Sequence, residues 1–250
     1  MERKARNQIL INNDFYDFLE DGWYTAYDHP VALLRAENAA RLPWIIEAMQ
    51  KRMGNFAKVL DVGCGAGLLS NPLSLKGYDI TGIDLSKESL LCAERFDSSK
   101  KVKYLYGNAT DLPFDKGSFD VVLAMDILEH VENPKKLIQE CARVLKRKGL
   151  FFFHTFNKNF FSYLMVIKGV EWFVKNTPKN MHVYNLFIKP KELFEMCQSC
   201  DLYADTWIGL RPKFSLSFLK MLLTKQVPDN FNFTLSKSLL TGYMGVAVKL

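Results

Sequence analysis

The spacing of the apolar residues changes near residue 55. In residues 1–50 they recur at mixed three- and four-residue intervals, a spacing that predicts helices. After residue 55, short apolar runs alternate with helix-like stretches, which predicts strands that are each followed by a helix. This order is typical of a parallel sheet with helices on both faces. We therefore expect an α/β fold with a Rossmann-like, doubly wound sheet.

The predicted elements follow one another closely as far as residue 156. Strands are expected over five apolar runs: KVLDVGC, YDITGIDLS, VKYLYGNA, FDVVLAMD and LFFFHTF. Helices are expected over three stretches between them: GLLSNPLSLKG, KESLLCAERF and NPKKLIQECARVLKRKG. Pro72 would lie in the first turns of the first helix, and a glycine would end the third. The final run, GYMGVAVKL, predicts a last strand, which we expect to be antiparallel.

Composition and charge exclude several classes of protein. Hydrophobic residues make up 48% of the 250, enough to bury a full core, so the chain is not of the disordered class. The net charge of +6 is best explained by a solvated basic surface. Five irregularly spaced cysteines and a start without a charged and then apolar leader favour a reduced, cytoplasmic protein. No apolar run reaches the roughly 18 residues of a membrane span.

The stretch VLDVGCGAG places three glycines at the end of the first predicted strand. Glycines there let the backbone approach a bulky ligand. Enzymes that bind NAD use G-x-G-x-x-G, whereas here the third glycine comes one residue early. Asp61, inside the strand, would repel a pyrophosphate but could accept hydrogen bonds from an ammonium group. Asp84 ends the next strand, where such folds hold a ribose diol. A nucleoside joined to an amino acid is S-adenosylmethionine.

These motifs resemble those of class I S-adenosylmethionine-dependent methyltransferases. VLDVGCGAG matches their first motif, GIDLS the second and YGNATDLPFDKGSFDVV the third, over roughly residues 55–155. The resemblance implies a set of cofactor contacts: Gly63 and Gly65 along the cofactor, Asp84 on the ribose hydroxyls, Asn108 and Ala109 beside the adenine, and Met125 against the adenosyl and methionine portions.

Other stretches resemble one family of these enzymes more closely. HPVALLRAENAARLPWI, AMDILEHVENP, NKNFFSYLMVIKGVEWFVKNTPKNMH and FIKPKEL are similar to the ubiquinone biosynthesis O-methyltransferases. Those enzymes methylate catechol-type hydroxyls on polyprenylated rings, so the resemblance implies a polyprenyl-phenol or polyprenyl-catechol substrate. In that family an arginine upstream of the first motif contacts the cofactor carboxylate, and Arg41 is the matching residue. Only the match to this family favours Arg41 over Arg35 as the arginine that contacts the cofactor carboxylate.

Two other functions remain open from the sequence. The segment WIGLRPKFSLSFLKMLL lacks the Tyr-Asn-Pro that often follows this glycine in the family. Because the segment helps to shape the substrate pocket, a different phenolic or lipid acceptor is an alternative. A cofactor-binding protein without catalysis is the third hypothesis, although none of the motifs is damaged.

The stretch MDILEH carries further candidate chemistry. Asp126, Glu129 and His130 are spaced so that they would share one face of a helix, and they could hold a divalent ion. The family has Glu-x-x-Glu-His at this place, which in some members is tied to magnesium. Here Asp126 replaces the first glutamate with a side chain one methylene shorter. Without a metal, His130 is the leading general base, with Glu129 orienting it.

The stretch FFSYLMVIKGVEWFVK mixes aromatic and apolar residues with lysines. An amphipathic basic helix of this kind can lie at a membrane interface or pack on the core. Since a polyprenyl substrate dissolves in membranes, we expect peripheral lipid contact at the inner face of the membrane. Nothing in the chain is typical of a nucleic-acid-binding module. His154 is expected in the core or at a sheet end, and His182 could face the substrate.

We expect a single methyltransferase domain with four parts. Residues 1–50 would form an N-terminal helical cap, and residues 55–155 the cofactor-binding core. Residues 157–200 would be an insertion that covers the substrate, and residues 201–250 would supply the C-terminal strands.

Overall fold

A computed structural model describes residues 11–54 and 56–250 of the chain. The first ten residues of the predicted N-terminal cap lie outside this part. The sheet is built from the strands β1 (Lys58–Val62), β2 (Asp79–Asp84), β3 (Lys103–Tyr106), β4 (Phe119–Met125), β5 (Leu145–Phe156), β6 (Leu202–Pro212), β7 (Phe233–Ser236) and β8 (Gly242–Lys249).

Helices cover both faces of this sheet. They are α1 (Gly22–Thr25), α2 (Val31–Met53), α3 (Ser70–Leu75), α4 (Lys87–Phe96), α5 (Pro134–Val144), α6 (Phe160–Ser162), α7 (Gly169–Phe173), α8 (Pro190–Gln198) and α9 (Leu216–Thr224). A π-helical segment, Tyr163–Lys168, joins α6 directly to α7. Pro72 lies in the first turn of α3, as the sequence predicts.

The eight strands form one sheet in the order β3-β2-β1-β4-β5-β8-β6-β7. The first five pair in parallel, and β8 runs antiparallel to both β5 and β6. The predicted fold class, a mostly parallel doubly wound sheet with an antiparallel last strand, is therefore confirmed. The strand order reverses at β1 and β4, which is where such sheets bind ligands.

The central strands are buried on both faces. Along β4, residues Val121 to Ala124 have no solvent exposure, and the same holds for Phe151, Phe152 and Phe153 of β5. This explains why these strands are continuous apolar runs rather than alternating ones. The carboxyl ends of β1, β2 and β4 lie together at one edge of the sheet. The candidate active site lies at this edge.

Two of the predicted elements are wrong in detail. The helix expected to run to a glycine stop ends at Val144, because the chain turns at once into β5, whose Leu145 pairs with Phe119 of β4. The region expected to supply the C-terminal strands also contains a helix that was not predicted, α9, whose N-cap is Ser215. The Ser215 hydroxyl accepts a hydrogen bond from the backbone N–H of Phe218, as an N-cap does.

Candidate active site

A cavity of about 350 Å³ opens at the carboxyl ends of β1, β2 and β4. We call it the cofactor cavity. All eight residues predicted to contact the cofactor line it: Arg41, Asp61, Gly63, Gly65, Asp84, Asn108, Ala109 and Met125. The fold thus brings together residues that lie up to 84 positions apart in the sequence.

The glycine loop is shaped for close approach of a ligand. Gly63 and Gly65 have φ angles of +71° and +51°, in the left-handed region that residues with a Cβ rarely adopt. A Cβ at Gly63 would overlap the side chain of Ile127, and one at Gly65 would lie 3.0 Å from the Trp23 ring. Glycine at both positions therefore permits the left-handed backbone and lets Ile127 and Trp23 pack directly against the loop.

Two carboxylates line the cofactor cavity from neighbouring strands. Asp84 accepts hydrogen bonds of 2.8 Å from the backbone N–H groups of Gly65 and Ser86, so it fastens the glycine loop to the end of β2. Asp61 is buried in β1 and accepts a 2.7 Å hydrogen bond from the Ser70 hydroxyl. Burial raises the pKa of Asp61 to about 6.

Arg41 joins α2 to the end of β4. Its guanidinium donates a hydrogen bond to the Asp126 carboxylate, which also hydrogen-bonds to the buried His154 ring. Burial opposes ionisation of Asp126, but the charges of Arg41 and His154 outweigh it and hold the pKa of this carboxyl far below its usual range. Arg35, by contrast, donates to the backbone carbonyls of Gly22 and Trp23 and does not line the cavity.

The residues at this end fit the amino-acid portion of a ligand. The Nη1 atom of Arg41 is buried and has no hydrogen-bond partner within residues 11–54 and 56–250, although the residue lines the cavity. It can therefore donate to a ligand carboxylate. Asp61, on the same cavity wall, can accept from an ammonium group.

A second cavity of about 390 Å³ adjoins the first, and we call it the acceptor cavity. Its walls are largely apolar and come from α2, the segment from α6 to α7, and α9. The insertion predicted to cover the substrate supplies Phe161, Met165 and Phe173, and α9 supplies Phe218 and Met221. The two cavities share four lining residues: Tyr16, Leu34, Asp126 and His130.

His130 stands where the two cavities meet. Asn13 donates through Nδ2 to the His130 carbonyl, so its Oδ1, 2.9 Å from Nδ1 of His130, accepts from that nitrogen. Nε2 is then the nitrogen with the free lone pair. Burial lowers the pKa of His130 to about 4, so the ring is neutral near pH 7. His182 lines the acceptor cavity, with its ring centre 5.5 Å from that of His130.

Glu129 lies behind His130 and does not line either cavity. Its side chain is 1% exposed, and neither carboxyl oxygen has a hydrogen-bond partner within the described part of the chain. Burial, with the nearby charge of Asp126, raises the pKa of Glu129 to about 8. With this pKa, the carboxyl is mostly protonated near pH 7.

The three predicted metal ligands do not form one ligand set. Within the described residues, the possible ligand atoms gather into two groups, Glu129 with His130 and His182, and Asp126 with Glu129 and His154. Asp126 has a left-handed backbone, with φ of +61°, and its carboxylate is engaged by Arg41 and His154. The expected helical face is absent here because only Leu128–His130 form a 3-10 turn. Magnesium binding stays a prediction.

Comparison with known proteins identifies the family. A family described as "Methyltransferase domain" matches residues 60–153. Ubiquinone biosynthesis O-methyltransferase from Bordetella avium is 40% identical over 71% of this chain and 74% of its own length. The enzyme of the same name from Aromatoleum aromaticum is 37% identical over 69% of this chain and 74% of its own length.

The chain belongs to the ubiquinone biosynthesis O-methyltransferase family. It is an S-adenosylmethionine-dependent O-methyltransferase, which agrees with the fit of the cofactor cavity to a nucleoside that carries an amino acid.

Solved methyltransferases share the fold. A methyltransferase from Thermotoga maritima is 16% identical, with a TM-score of 0.64 over 95% of this chain and 99% of its own. Magnesium protoporphyrin IX methyltransferase from Synechocystis PCC 6803, solved with S-adenosylhomocysteine, is 16% identical, with a TM-score of 0.58 over 98% of this chain and 90% of its own.

Several residues of this methyltransferase site gave no signal in the sequence. Tyr16 lines both cavities and stacks on Trp23, with ring centres 5.3 Å apart, yet aromatics in a helical region look like ordinary core residues. His154 was expected to be a core or sheet-end residue, and it is buried at the end of β5 against Asp126. Glu37 lines the acceptor cavity, but nothing in the sequence of α2 distinguished this face of the helix from its other faces.

Proposed function

We propose that this enzyme transfers the methyl group of S-adenosylmethionine to a catechol-type hydroxyl of a polyprenylated ring in ubiquinone biosynthesis. The observation that carries this proposal is the apolar acceptor cavity, which meets the cofactor cavity at His130. A flat ring can reach the junction while an isoprenoid tail lies among the aromatic and aliphatic side chains behind it.

The proposed chemistry needs positioning and one proton transfer. When bound, S-adenosylmethionine supplies a methyl group on a positively charged sulfur. Arg41 and Asp61 would hold its amino-acid end, and Asp84 would accept hydrogen bonds from the ribose hydroxyls. The rest of the proposed cofactor site is formed by Gly63, Gly65, Asn108, Ala109 and Met125. These contacts would hold the cofactor in one orientation, and a fixed orientation of its methyl group lowers the barrier to transfer.

His130 is the proposed general base. Its Nε2 lone pair would take the proton of the acceptor hydroxyl as the oxygen attacks the methyl group. The imidazolium that results would hold the proton next to the Glu129 carboxyl and pass it to water after the product leaves. Because a neutral imidazole is present at pH 7, no prior deprotonation of the base is needed.

The outer surface of the insertion supports a further part of the proposal, peripheral contact with lipid. Phe160 and Trp172 are 75% and 52% exposed, and Leu216 and Leu223 of the adjacent α9 are 86% and 78% exposed. Exposed aromatic and aliphatic side chains flanked by lysines suit the headgroup region of an anionic membrane. Within residues 11–54 and 56–250, no helix combines the length and apolarity needed to cross a membrane.

The decisive experiment is a series of acceptors that share one catechol ring. The ring carries no tail, one isoprene unit or several, and kcat/KM is measured with labelled S-adenosylmethionine. Because each buried methylene contributes about 0.8 kcal/mol, even one isoprene unit should raise kcat/KM several-fold. If kcat/KM did not change with tail length, the protein would be a methyltransferase that acts on another acceptor. That alternative is favoured by the stretch after Gly209, which lines the cavity with Leu210 and Pro212 and lacks the family's Tyr-Asn-Pro. Absence of all transfer would contradict catalysis itself.

A further inference from the structure

One face of α2 carries residues that line both cavities. Leu34, Glu37, Asn38 and Arg41 are three, four and seven positions apart, so they lie along one side of the helix. Leu34 lines both cavities, and Asn38 and Arg41 line the cofactor cavity. Glu37, between them in sequence, lines the acceptor cavity. The charges of Asp126 and Arg41 act on its carboxyl, which places the carboxyl near the junction of the two cavities.

Glu37 is out of place in an apolar cavity unless a ligand uses it. The influences on its carboxyl are burial and the charges of Asp126, Arg41 and Glu129, and none is a hydrogen bond. Burial comes first among them and raises the pKa of Glu37 to about 8. The residue is only partly buried, so it faces the open cavity, where a ligand can reach it. An aliphatic residue at this position would match the largely apolar walls of that cavity, so a carboxyl here suggests a contact with the ligand.

We infer that Glu37 determines acceptor specificity by hydrogen-bonding the second hydroxyl of the ring, the one that is not methylated. The inference rests on the proposed function, since it assumes a ring held between His130 and the tail-binding walls. Near pH 7 the carboxyl can both accept from a ring hydroxyl and donate to it. Glu37 touches neither the methyl group nor the reacting oxygen. It therefore discriminates between acceptors and does not take part in the proton transfer.

The test compares two acceptors in four proteins. One acceptor is a catechol bearing one isoprene unit, and the other is the same ring with the neighbouring hydroxyl replaced by hydrogen. The proteins are the wild type, Glu37→Leu, Glu37→Gln and Glu47→Leu, the last being an exposed position of the same helix. The wild type should prefer the catechol in kcat/KM. Glu37→Leu should reduce that preference about tenfold, the effect of one lost hydrogen bond.

The kinetic constants distinguish specificity from structural damage. The effect of Glu37→Leu should fall on KM for the catechol, because a contact made equally in the ground state and the transition state changes binding alone. Glu37→Gln should retain most of the preference, and Glu47→Leu should retain all of it. If Glu37→Leu no longer binds S-adenosylmethionine by calorimetry, Glu37→Met replaces it, since methionine is unbranched like glutamate.

Calorimetry with S-adenosylhomocysteine present repeats the comparison without turnover. It measures the affinity of each ring for each protein, so absence of methyl transfer would remove the proposed function while the ratio of affinities still decides the role of Glu37. An unchanged preference in Glu37→Leu that binds the cofactor normally would overturn the inference.

Discussion

Arg41 donates a hydrogen bond to Asp126, which lies 85 positions further along the chain. The arginine is 1% exposed and the aspartate 13% exposed, so the ion pair is shielded from water. It connects α2 to the carboxyl end of β4, and His154 completes it from β5. Because the pair uses Nη2 of Arg41, Nη1 has no partner within the described residues and is open to the proposed contact with the cofactor carboxylate.

The first prediction is that this pair stabilises the fold. Asp126→Asn keeps the shape and tolerates the left-handed backbone, but it removes the charge that faces Arg41. Removing one partner of a buried ion pair should lower the free energy of unfolding by about 3–5 kcal/mol, measured by urea denaturation. The matched control is Asp120→Asn on the same strand, whose exposed pair with Lys146 should contribute less than about 1 kcal/mol. Equal losses in the two variants would argue against a special role for Asp126.

Asp84 is predicted to hold the cofactor. Asp84→Ala should weaken the binding of S-adenosylmethionine by roughly 1–3 kcal/mol, because hydrogen bonds to a carboxylate are lost. Calorimetry measures the affinity, and circular dichroism reports whether the fold is intact. Asp79→Ala, at the exposed opposite end of β2, serves as the control and should bind normally. Unchanged affinity in a folded Asp84→Ala would remove this residue from the site.

Stability should depend on pH through Glu129. The pKa of this carboxyl is about 8 in the folded protein and about 4.3 when unfolded. Between these values the folded state holds a proton that the unfolded state releases, so the free energy of unfolding falls as pH rises. The slope is at most about 1.4 kcal/mol per pH unit for one such group.

Urea denaturation from pH 5 to pH 9 measures this slope. Glu129→Gln should flatten it without abolishing it, because Glu37 and Asp61 also have raised pKa values and act with the same sign. The lowered pKa of Asp126 has the opposite effect on stability, and the stability that it contributes is lost only below about pH 4. Identical profiles for the wild type and Glu129→Gln would contradict the raised pKa.

The general-base hypothesis predicts that methyl transfer depends on His130 and needs no metal, whereas the magnesium hypothesis predicts that it needs one. The following outcomes are those of the general-base hypothesis. Thorough chelation should leave kcat unchanged, whereas His130→Ala should lower it by about 10²–10⁴-fold, the usual contribution of a general base. His182→Ala is the comparison, since it removes a neighbouring imidazole that we do not assign to proton transfer. Loss of activity on chelation, with recovery on adding magnesium, would favour the metal hypothesis instead.

Lipid contact should be measurable by flotation with liposomes. The wild type should float with anionic vesicles and much less with neutral ones, because the lysines around the insertion attract anionic headgroups. Trp172→Ser combined with Phe160→Ser should reduce the floated fraction. Leu75→Ser, at an exposed apolar position on α3, is the control. Equal recovery with both kinds of vesicle would count against the electrostatic part, and no flotation would count against contact altogether.

The sequence predicted what depends on local pattern and on motifs. The strand-helix alternation predicted the sheet, and the three motifs together with the family resemblance predicted eight residues that do line one cavity. It did not predict the end of α5 at Val144, because a lysine-rich stretch continues the helical pattern and only pairing with β4 makes it a strand. It also did not reveal that Asp126 faces Arg41 and His154 rather than Glu129 and His130. That arrangement depends on a positive φ and on partners far away in the sequence.

The face of α2 that carries Leu34, Glu37, Asn38 and Arg41 makes one rigid body common to both ligands. If the cofactor displaces this helix on binding, the contacts of the acceptor with the same helix therefore change as well. Thermodynamic linkage requires the effect to be reciprocal: whatever factor the cofactor adds to the affinity for the acceptor, the acceptor adds to the affinity for the cofactor. The shared face of α2 thus offers a route for coupling within about two helical turns, and substitutions there should alter the coupling between the ligands as well as their individual affinities.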